Sequence, residues 1–385
     1  MRAIHVNTSA SWGGLEQYTL FMMDLFRTAG VDVALMGVPG TPIMDGARER
    51  GFDVIPARRG KHVNLPNILR LRRALHQRPD TIVHSHTRID VWTASLACMG
   101  TNIPHVHSVH MIPVNKRDPL HGIIYGRVDA TVNTCETHVR SIAERFPVRP
   151  GTVHLIRHMR DPRTFTFNAA ARADYRAEWG VADDELVVGF LGRIDPLKGV
   201  REFAESIDHL PDALRTRVRL VVVGEPSIAG RAPDGTPQFE PGSARMFTWV
   251  RERAADPQHR LLVRPFTADV AGVMSAFDMF VLATYGEMYA LTVIEAMMVG
   301  LPVIGTNADG TPDQLANGRG MLVEPRSASS IAAAITSLAA DPEQRASMAG
   351  KGHAWAVHEF DPRTVVPAWI DLYHHVLHLR QPHGS

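Results

Sequence analysis

Glu287 and Glu295 stand eight residues apart in Tyr285-Gly-Glu-Met-Tyr-Ala-Leu-Thr-Val-Ile-Glu295. The first falls in a polar turn after the apolar run Met279 to Ala283, the second inside the helix-like segment that follows. A strand, a turn and a helix N-terminus are where open parallel sheets hold phosphate. Here the turn also carries a carboxylate, which accepts hydrogen bonds from hydroxyls. The pair fits a ligand anionic at one point and polyhydroxylated elsewhere, the chemistry of a sugar nucleotide.

Gly192-Arg193-Ile-Asp-Pro-Leu-Lys198-Gly199 follows the strand candidate Leu186 to Leu191, so Arg193 and Lys198 leave its C-terminal end. A guanidinium offers a fork to paired phosphate oxygens, and an ammonium adds a mobile point charge. Together they suit a diphosphate and the charge that grows on it as a bond to it breaks. Gly13-Gly14, between the first strand and first helix, lets backbone approach a ligand or simply makes a tight turn. It is no Gly-x-Gly-x-x-Gly fingerprint. Histidines crowd the first half, with His84 and His86 ending one strand candidate and His105, His107 and His110 on and after the next. Imidazoles so spaced could converge on a metal, yet no cysteine or acidic ligand accompanies them, and no metal is assigned. His110, just past a strand end, is the candidate to meet a sugar, with His86 second. No nucleophile elbow, P-loop or Cys-x-x-Cys is present, which removes serine hydrolysis, P-loop phosphoryl transfer and thioredoxin-like redox work.

The elements that must position these residues alternate. Strand candidates are residues 2 to 6, Val31 to Gly37, Thr81 to His84, His105 to Val109 and Ala130 to Asn133, with helices at Leu15 to Ala29, Asn67 to His76 and Glu136 to Arg145. After a polar linker within 159 to 180, a second series runs through Leu186 to Leu191, Arg219 to Val223, Leu261 to Val263, Met279 to Ala283 and Pro302 to Gly305. Short apolar strands alternating with helices call for parallel sheets covered on both faces. Pro226 to Ser243 reads as an extended loop, either a surface insertion or a border of the site. Trp369 to Leu379 reads as a final helix. The expected domains are 1–170, on the acceptor side, and 171–365, on the donor side, with 366–385 packing back on the first.

The chain has 385 residues, enough for two domains. With 41 basic and 40 acidic side chains its formal charge is +1, which provides no field for nucleic acid. Cys98 and Cys135 are the only cysteines, so a reducing compartment is the default. The first residues enter a strand without an apolar leader, and no apolar stretch reaches the roughly 20 residues needed to span a bilayer. A cytoplasmic protein is expected, with contact at the inner membrane face left open.

Five motifs in order then resemble the retaining GT-B glycosyltransferases of family 4. They are Gly13-Gly14-Leu-Glu16, Gly192-Arg193-x4-Lys198-Gly199, Glu287-x7-Glu295 with Ala296-Met297, Gly300-Leu-Pro-Val303, and Gly310-Thr-Pro-Asp313 through Gly320-Met-Leu-Val323. The resemblance implies an α/β GT-B fold, two Rossmann-like domains facing across a deep cleft. It implies that Arg193 and Lys198 bind the donor diphosphate, with the amides around Ala290, Leu291 and Thr292 meeting it at a helix start. By the same resemblance Glu287 holds hydroxyls of the transferred sugar, Glu295 binds the ribose, Gly14 approaches the phosphate and His110 touches the donor sugar. Transfer would retain configuration with the leaving phosphate taking the acceptor proton. No cofactor or divalent metal is expected beyond the nucleotide-sugar donor itself. Two departures stand out: Ala290 where many relatives have glycine, and Asp309-Gly310 in place of a commoner Gly-Gly.

The acceptor, a hydroxyl compound, is not legible. Residues 58 to 78 hold Arg58, Arg59, Lys61, His62, Arg70, Arg72, Arg73 and Arg78. They form either a solvated face or a surface that reaches a membrane-borne acceptor. Polysaccharide or glycoconjugate assembly, a natural-product or polyol acceptor, and a non-catalytic nucleotide-sugar-binding role all remain readings. No heptad pattern marks an oligomer interface.

Overall fold

The computed structural model describes residues 1–385 except 77, 79, 112, 232–235 and 381–385. Gln77 in the basic segment, 232–235 in the proline- and glycine-rich segment and 381–385 of the C-terminal segment therefore lie outside the described residues. The chain forms two compact units. One is Met1–Met159 with the last helix, Pro362–Arg380; the other is Arg160–Asp361.

In the first unit seven strands run parallel: β1 Arg2–Val6, β2 Asp32–Gly37, β3 Asp53–Pro56, β4 Thr81–Ser85, β5 His105–Ser108, β6 Ala130–Asn133 and β7 Val153–Leu155. Their order is β3-β2-β1-β4-β5-β6-β7, so the winding reverses between β1 and β4. The carboxyl ends of those two strands are where such a sheet takes ligands. β1 and β4 are buried on both faces, as a covered parallel sheet requires, and His5 lies in register with His84. Pro362 opens the last helix, where its missing N–H costs nothing. Val365, Trp369, Leu372, Tyr373 and Val376 recur on one face and pack against Phe26 and its neighbours. Burying each such side chain contributes about 1.5–3 kcal/mol. The Tyr373 hydroxyl lies 2.7 Å from His84 Nδ1, which joins this helix to the end of β4.

The second unit holds β8 Leu186–Leu191, β9 Val218–Val223, β10 Ile228–Arg231, β11 Pro237–Phe239, β12 Leu261–Arg264, β13 Met279–Leu282, β14 Val303–Thr306 and β15 Gly320–Val323. Six of them form a parallel sheet in the order β12-β9-β8-β13-β14-β15, with the reversal between β8 and β13. Both loops that carry the charged motifs leave that reversal point.

Three expectations need correction. Pro226 to Ser243 is no extended loop: β10 and β11 pair antiparallel, and a helix starts at Pro241. The linker region 159 to 180 contains a helix, Ala169–Glu178, whose N-cap Asn168 accepts from Ala171 N; its arginines and aspartates had read as irregular chain. Strands β3, β7 and β15 had no counterpart among the expected strands. Each is three or four residues long and lies at a sheet edge, and in β3 and β7 polar residues interrupt the apolar run.

Candidate functional site

The loop after β8 is built to approach β13. Gly199 has φ +68°, and a Cβ there would sit 1.9 Å from the Ala283 carbonyl oxygen, so only glycine permits the contact. Asp195 accepts from Leu197 N at 2.9 Å and caps the turn Pro196–Lys198. From the loop after β13, Tyr285 N and Thr284 Oγ1 donate to Leu197 O at 2.9 and 3.2 Å. The two loops are thereby fixed to each other.

Arg193 Nη1 donates to Ser227 Oγ at 3.1 Å, and Ser227 in turn donates to Asp195 Oδ2 at 3.2 Å. Ser227 is buried at the foot of the β10–β11 hairpin, so that segment aims the guanidinium. Lys198 Nζ is ion-paired with Glu287 Oε2, each side chain about a quarter exposed at 24% and 26%. The ammonium and carboxylate assigned to different parts of one ligand thus hold each other. Glu287 O accepts from Gly310 N at 3.1 Å, and the preceding Asp309 carries φ +47°. That left-handed conformation gives a physical reason for glycine to be the commoner residue there.

Ala290 is the N-cap of the helix Leu291–Val299, which has no side-chain cap. The Ala290 amide, expected at the diphosphate, donates to Gln314 Oε1 at 3.1 Å, and Gln314 Nε2 donates to Ala290 O at 2.9 Å. A buried glutamine closes a two-point clamp on that peptide. Leu291 and Thr292 open the helix, where amides lack intrahelical acceptors and are suited to an anion. Glu295, one turn further on, is buried and accepts from Arg160 Nε at 2.8 Å. Burial raises its pKa, and the Arg160 charge and hydrogen bond oppose that rise.

The first unit holds the other predicted residues. Gly13 caps the helix Gly14–Thr28, and its amide donates to the buried Glu16 carboxylate at 2.8 Å. Gly14 is the first helical residue. His110, after β5, is half-buried, with Nε2 3.3 Å from His86 Nδ1. His86 Nε2 lies 2.9 Å from His5 Nδ1. Burial holds His110 down to about 4 and His5 to about 3. Burial, with the neighbouring imidazoles adding to it, keeps His84 and His86 well below the usual histidine value. All four are neutral at pH 7.

His5, His84 and His86 offer ligand atoms within 4.8 Å of one another, the spacing of a metal site. Five of their six ring nitrogens already have partners, because His84 bonds Tyr373 and Ser108 while His86 bonds His5 and His110. The exception is His5 Nε2, which is buried with no partner. His105 and His107 share Ser85 Oγ at 2.8 and 2.9 Å, and His105 also meets Ser95, so both serve the interior of the sheet.

Arg193, Lys198, Glu287, Leu291, Thr292 and Glu295 therefore gather on the second unit, after β8 and β13. Gly13, Gly14 and His110 lie on the first, after β1 and β5. Sequence reasoning missed Ser227, Gln314, Arg160 and His5. His5 left a signal as a polar residue in an apolar strand, and Ser227 lay in the segment Pro226 to Ser243, read as a surface insertion or a border of the site.

Two family models match the chain. "Glycosyltransferase Family 4" matches residues 12–163 and "Glycosyl transferases group 1" residues 171–355. A D-inositol 3-phosphate glycosyltransferase of Stackebrandtia nassauensis is 28% identical over 293 residues, 70% of this chain and 62% of the relative. The chain thus spans less than two thirds of the length of that relative. An alpha-maltose-1-phosphate synthase of Mycolicibacterium smegmatis is 25% identical, covering 93% of this chain and 94% of the relative. Among solved structures, HepE of Anabaena in complex with UDP superposes with a TM-score of 0.83 at 16% identity, over 97% of this chain and 100% of HepE. At that identity the likeness shows the fold.

Proposed function

Because the chain belongs to the family-4 (group 1) glycosyltransferases of GT-B fold, we propose that it moves a hexose from a UDP- or GDP-linked donor to a hydroxyl acceptor, with retention. The observation that carries this reading is the pairing of Arg193 and Lys198 after β8 with Glu287 and an uncapped helix start after β13. The complex of HepE with UDP-glucose supports a hexose donor.

The diphosphate takes Arg193, held by Ser227, and draws Lys198 away from Glu287. Glu287 is then free to accept hydrogen bonds from the sugar, while Glu295, fixed by Arg160, accepts from the ribose. The bond from the anomeric carbon to the diphosphate oxygen breaks as the acceptor oxygen bonds the same face. The acceptor proton passes to the departing phosphate oxygen, so no protein base is required. Lys198 and Arg193 stabilise the charge that collects on that oxygen. His110, neutral, hydrogen-bonds an oxygen of the sugar.

Glycan or glycoconjugate assembly is the setting we infer. The two relatives, a D-inositol 3-phosphate glycosyltransferase and an alpha-maltose-1-phosphate synthase, are named for a phosphorylated polyol and a phosphorylated sugar, which favours trying phosphorylated acceptors first. Exposed Val63, Leu65 and Leu69 beside Arg58, Arg59, Lys61 and Arg73 support peripheral contact with an anionic membrane. The test is incubation of the purified chain with UDP-glucose, GDP-mannose and a panel of phosphorylated and lipid-linked hydroxyl acceptors. Nucleoside diphosphate release that depends on both acceptor and Arg193 is the expected result. Release by no pair, or equal release by Arg193→Ala, contradicts the reading.

A further inference from the structure

His5, His86 and His110 come from three different positions on the sheet, at the end of β1, just after β4 and after β5. Their rings nevertheless form one row. His5 and His86 have centroids 5.2 Å apart and planes 13° apart, with Nδ1 to Nε2 at 2.9 Å. His86 and His110 have centroids 5.5 Å apart and planes 20° apart, with Nδ1 to Nε2 at 3.3 Å. Each centroid separation is close to the N···N contact plus two ring radii. The rings are therefore side by side, lone pair facing N–H in the common plane, rather than face over face. His84 does lie over the face of His86, at 4.3 Å, and its own nitrogens are taken by Tyr373 and Ser108.

A neutral imidazole has one N–H and one lone pair. A row of three neutral rings joined Nδ1 to Nε2 can thus point only one of two ways. Pointing toward His110, His5 Nδ1–H donates to His86, His86 Nδ1–H donates to His110 Nε2, and His110 is left with Nδ1–H. Pointing the other way, His5 carries its proton on Nε2. That atom is buried with no partner, beside Phe26 at a ring separation of 5.8 Å. A buried N–H without an acceptor is the rarer and costlier defect, whereas an unused lone pair is better tolerated.

We infer that His5 and His86 are positioning residues that lock His110 in the Nδ1–H form, so that it serves its sugar as a hydrogen-bond donor and cannot act as a base through Nδ1. The geometry stands without any assumption about activity. The consequence for the sugar rests on the function proposed above. A free neutral imidazole prefers its proton on Nε2, so the relay imposes the less favoured form on all three rings.

The measurement is a long-range proton–nitrogen correlation spectrum of the full, ligand-free chain, labelled with nitrogen-15 in histidine and recorded near pH 7.5. His86 and His110 should both show Nδ1–H. His86→Leu should release His110 toward Nε2–H. His86→Gln should hold it in Nδ1–H, because the amide oxygen accepts from His5 and the amide nitrogen donates to His110. Nε2–H at His110 in the unaltered chain overturns the inference, and that spectrum decides even where His86→Leu fails to fold. In a transfer assay His86→Leu should lower kcat about 3- to 10-fold, the scale of one neutral hydrogen bond, with KM unchanged and His86→Gln largely restored. Transfer by a chain whose His110 carries Nε2–H refutes the relay alone. Nδ1–H in a chain that transfers nothing upholds the relay and refutes the proposed function.

Discussion

Glu287→Gln should push nucleotide affinity and turnover in opposite directions. In the structure Glu287 and Lys198 form an ion pair with each side chain about a quarter exposed. A nucleoside diphosphate must draw Lys198 out of that pair before using its charge. Partly exposed pairs contribute about 0.2–1 kcal/mol, so neutralising the carboxylate should tighten free UDP or GDP roughly 1.4- to 5-fold. The gain should shrink as salt is raised, since screening weakens the competing pair. The sugar, by contrast, loses a charge-assisted hydrogen bond worth about 1.5–3 kcal/mol, which lowers kcat/KM for the sugar nucleotide roughly 10- to 150-fold. Glutamine preserves the volume, and Gly310 N bonds the backbone oxygen of residue 287 and is unaffected. Titration calorimetry with the free nucleotide and initial rates with the sugar conjugate read the two effects separately. Weaker binding of free nucleotide in Glu287→Gln, or unchanged turnover, refutes the assignment of Lys198 to phosphate and Glu287 to sugar.

Other perturbations address the remaining contacts. Glu295→Ala removes a buried carboxylate bonded to Arg160 at 2.8 Å, so urea unfolding should show a loss of about 1–3 kcal/mol, and free nucleotide should bind more weakly. Ser227→Ala releases Arg193 while leaving both loops stitched at Leu197, so kcat/KM should fall about 5-fold on the scale of one hydrogen bond, with little change in Tm. Acid should destabilise the first unit over the range where free histidines titrate, with the buried Asp90, raised to about 6, opposing part of the loss. His5 and His107 fall to about 3 and His110 to about 4 in the fold, against 6.5 in the unfolded chain. Below pH 6.5 the unfolded state therefore binds more protons, and stability present above that pH is lost as pH falls toward 4. Each histidine steepens the fall by up to about 1.4 kcal/mol per pH unit. A urea midpoint that stays flat between pH 6.5 and 4.5 contradicts this.

The charged motifs were legible because of where a parallel sheet places chemistry. Leu186–Leu191 and Met279–Leu282 are apolar runs buried in the sheet interior, and the polar residues just beyond each mark its carboxyl end. The edge strands β3 and β7 gave no such run: Asp53–Pro56 starts on an acid and ends on a proline, and Val153–Leu155 is centred on a histidine. The residues that aim the site were illegible for a different reason. Ser227 lies 34 residues from Arg193, Gln314 lies 24 from Ala290, and Arg160 lies 135 from Glu295. No local period links such partners; only the folded chain does. The histidines were visible as a cluster, but their use depended on ring orientation. Side-by-side rings make a hydrogen-bonded row, where spacing alone had left a metal site open.

The central claim is that the loops after β8 and β13 bind the diphosphate of a sugar nucleotide. Titration calorimetry of UDP, GDP and ADP with the unaltered chain and with Arg193→Ala/Lys198→Ala tests it most directly. The account predicts that one nucleotide class binds, that its sugar conjugate binds at the same stoichiometry, and that the double variant loses both while remaining folded. Binding that survives in the double variant, or its absence for every nucleotide in a folded unaltered chain, would contradict it.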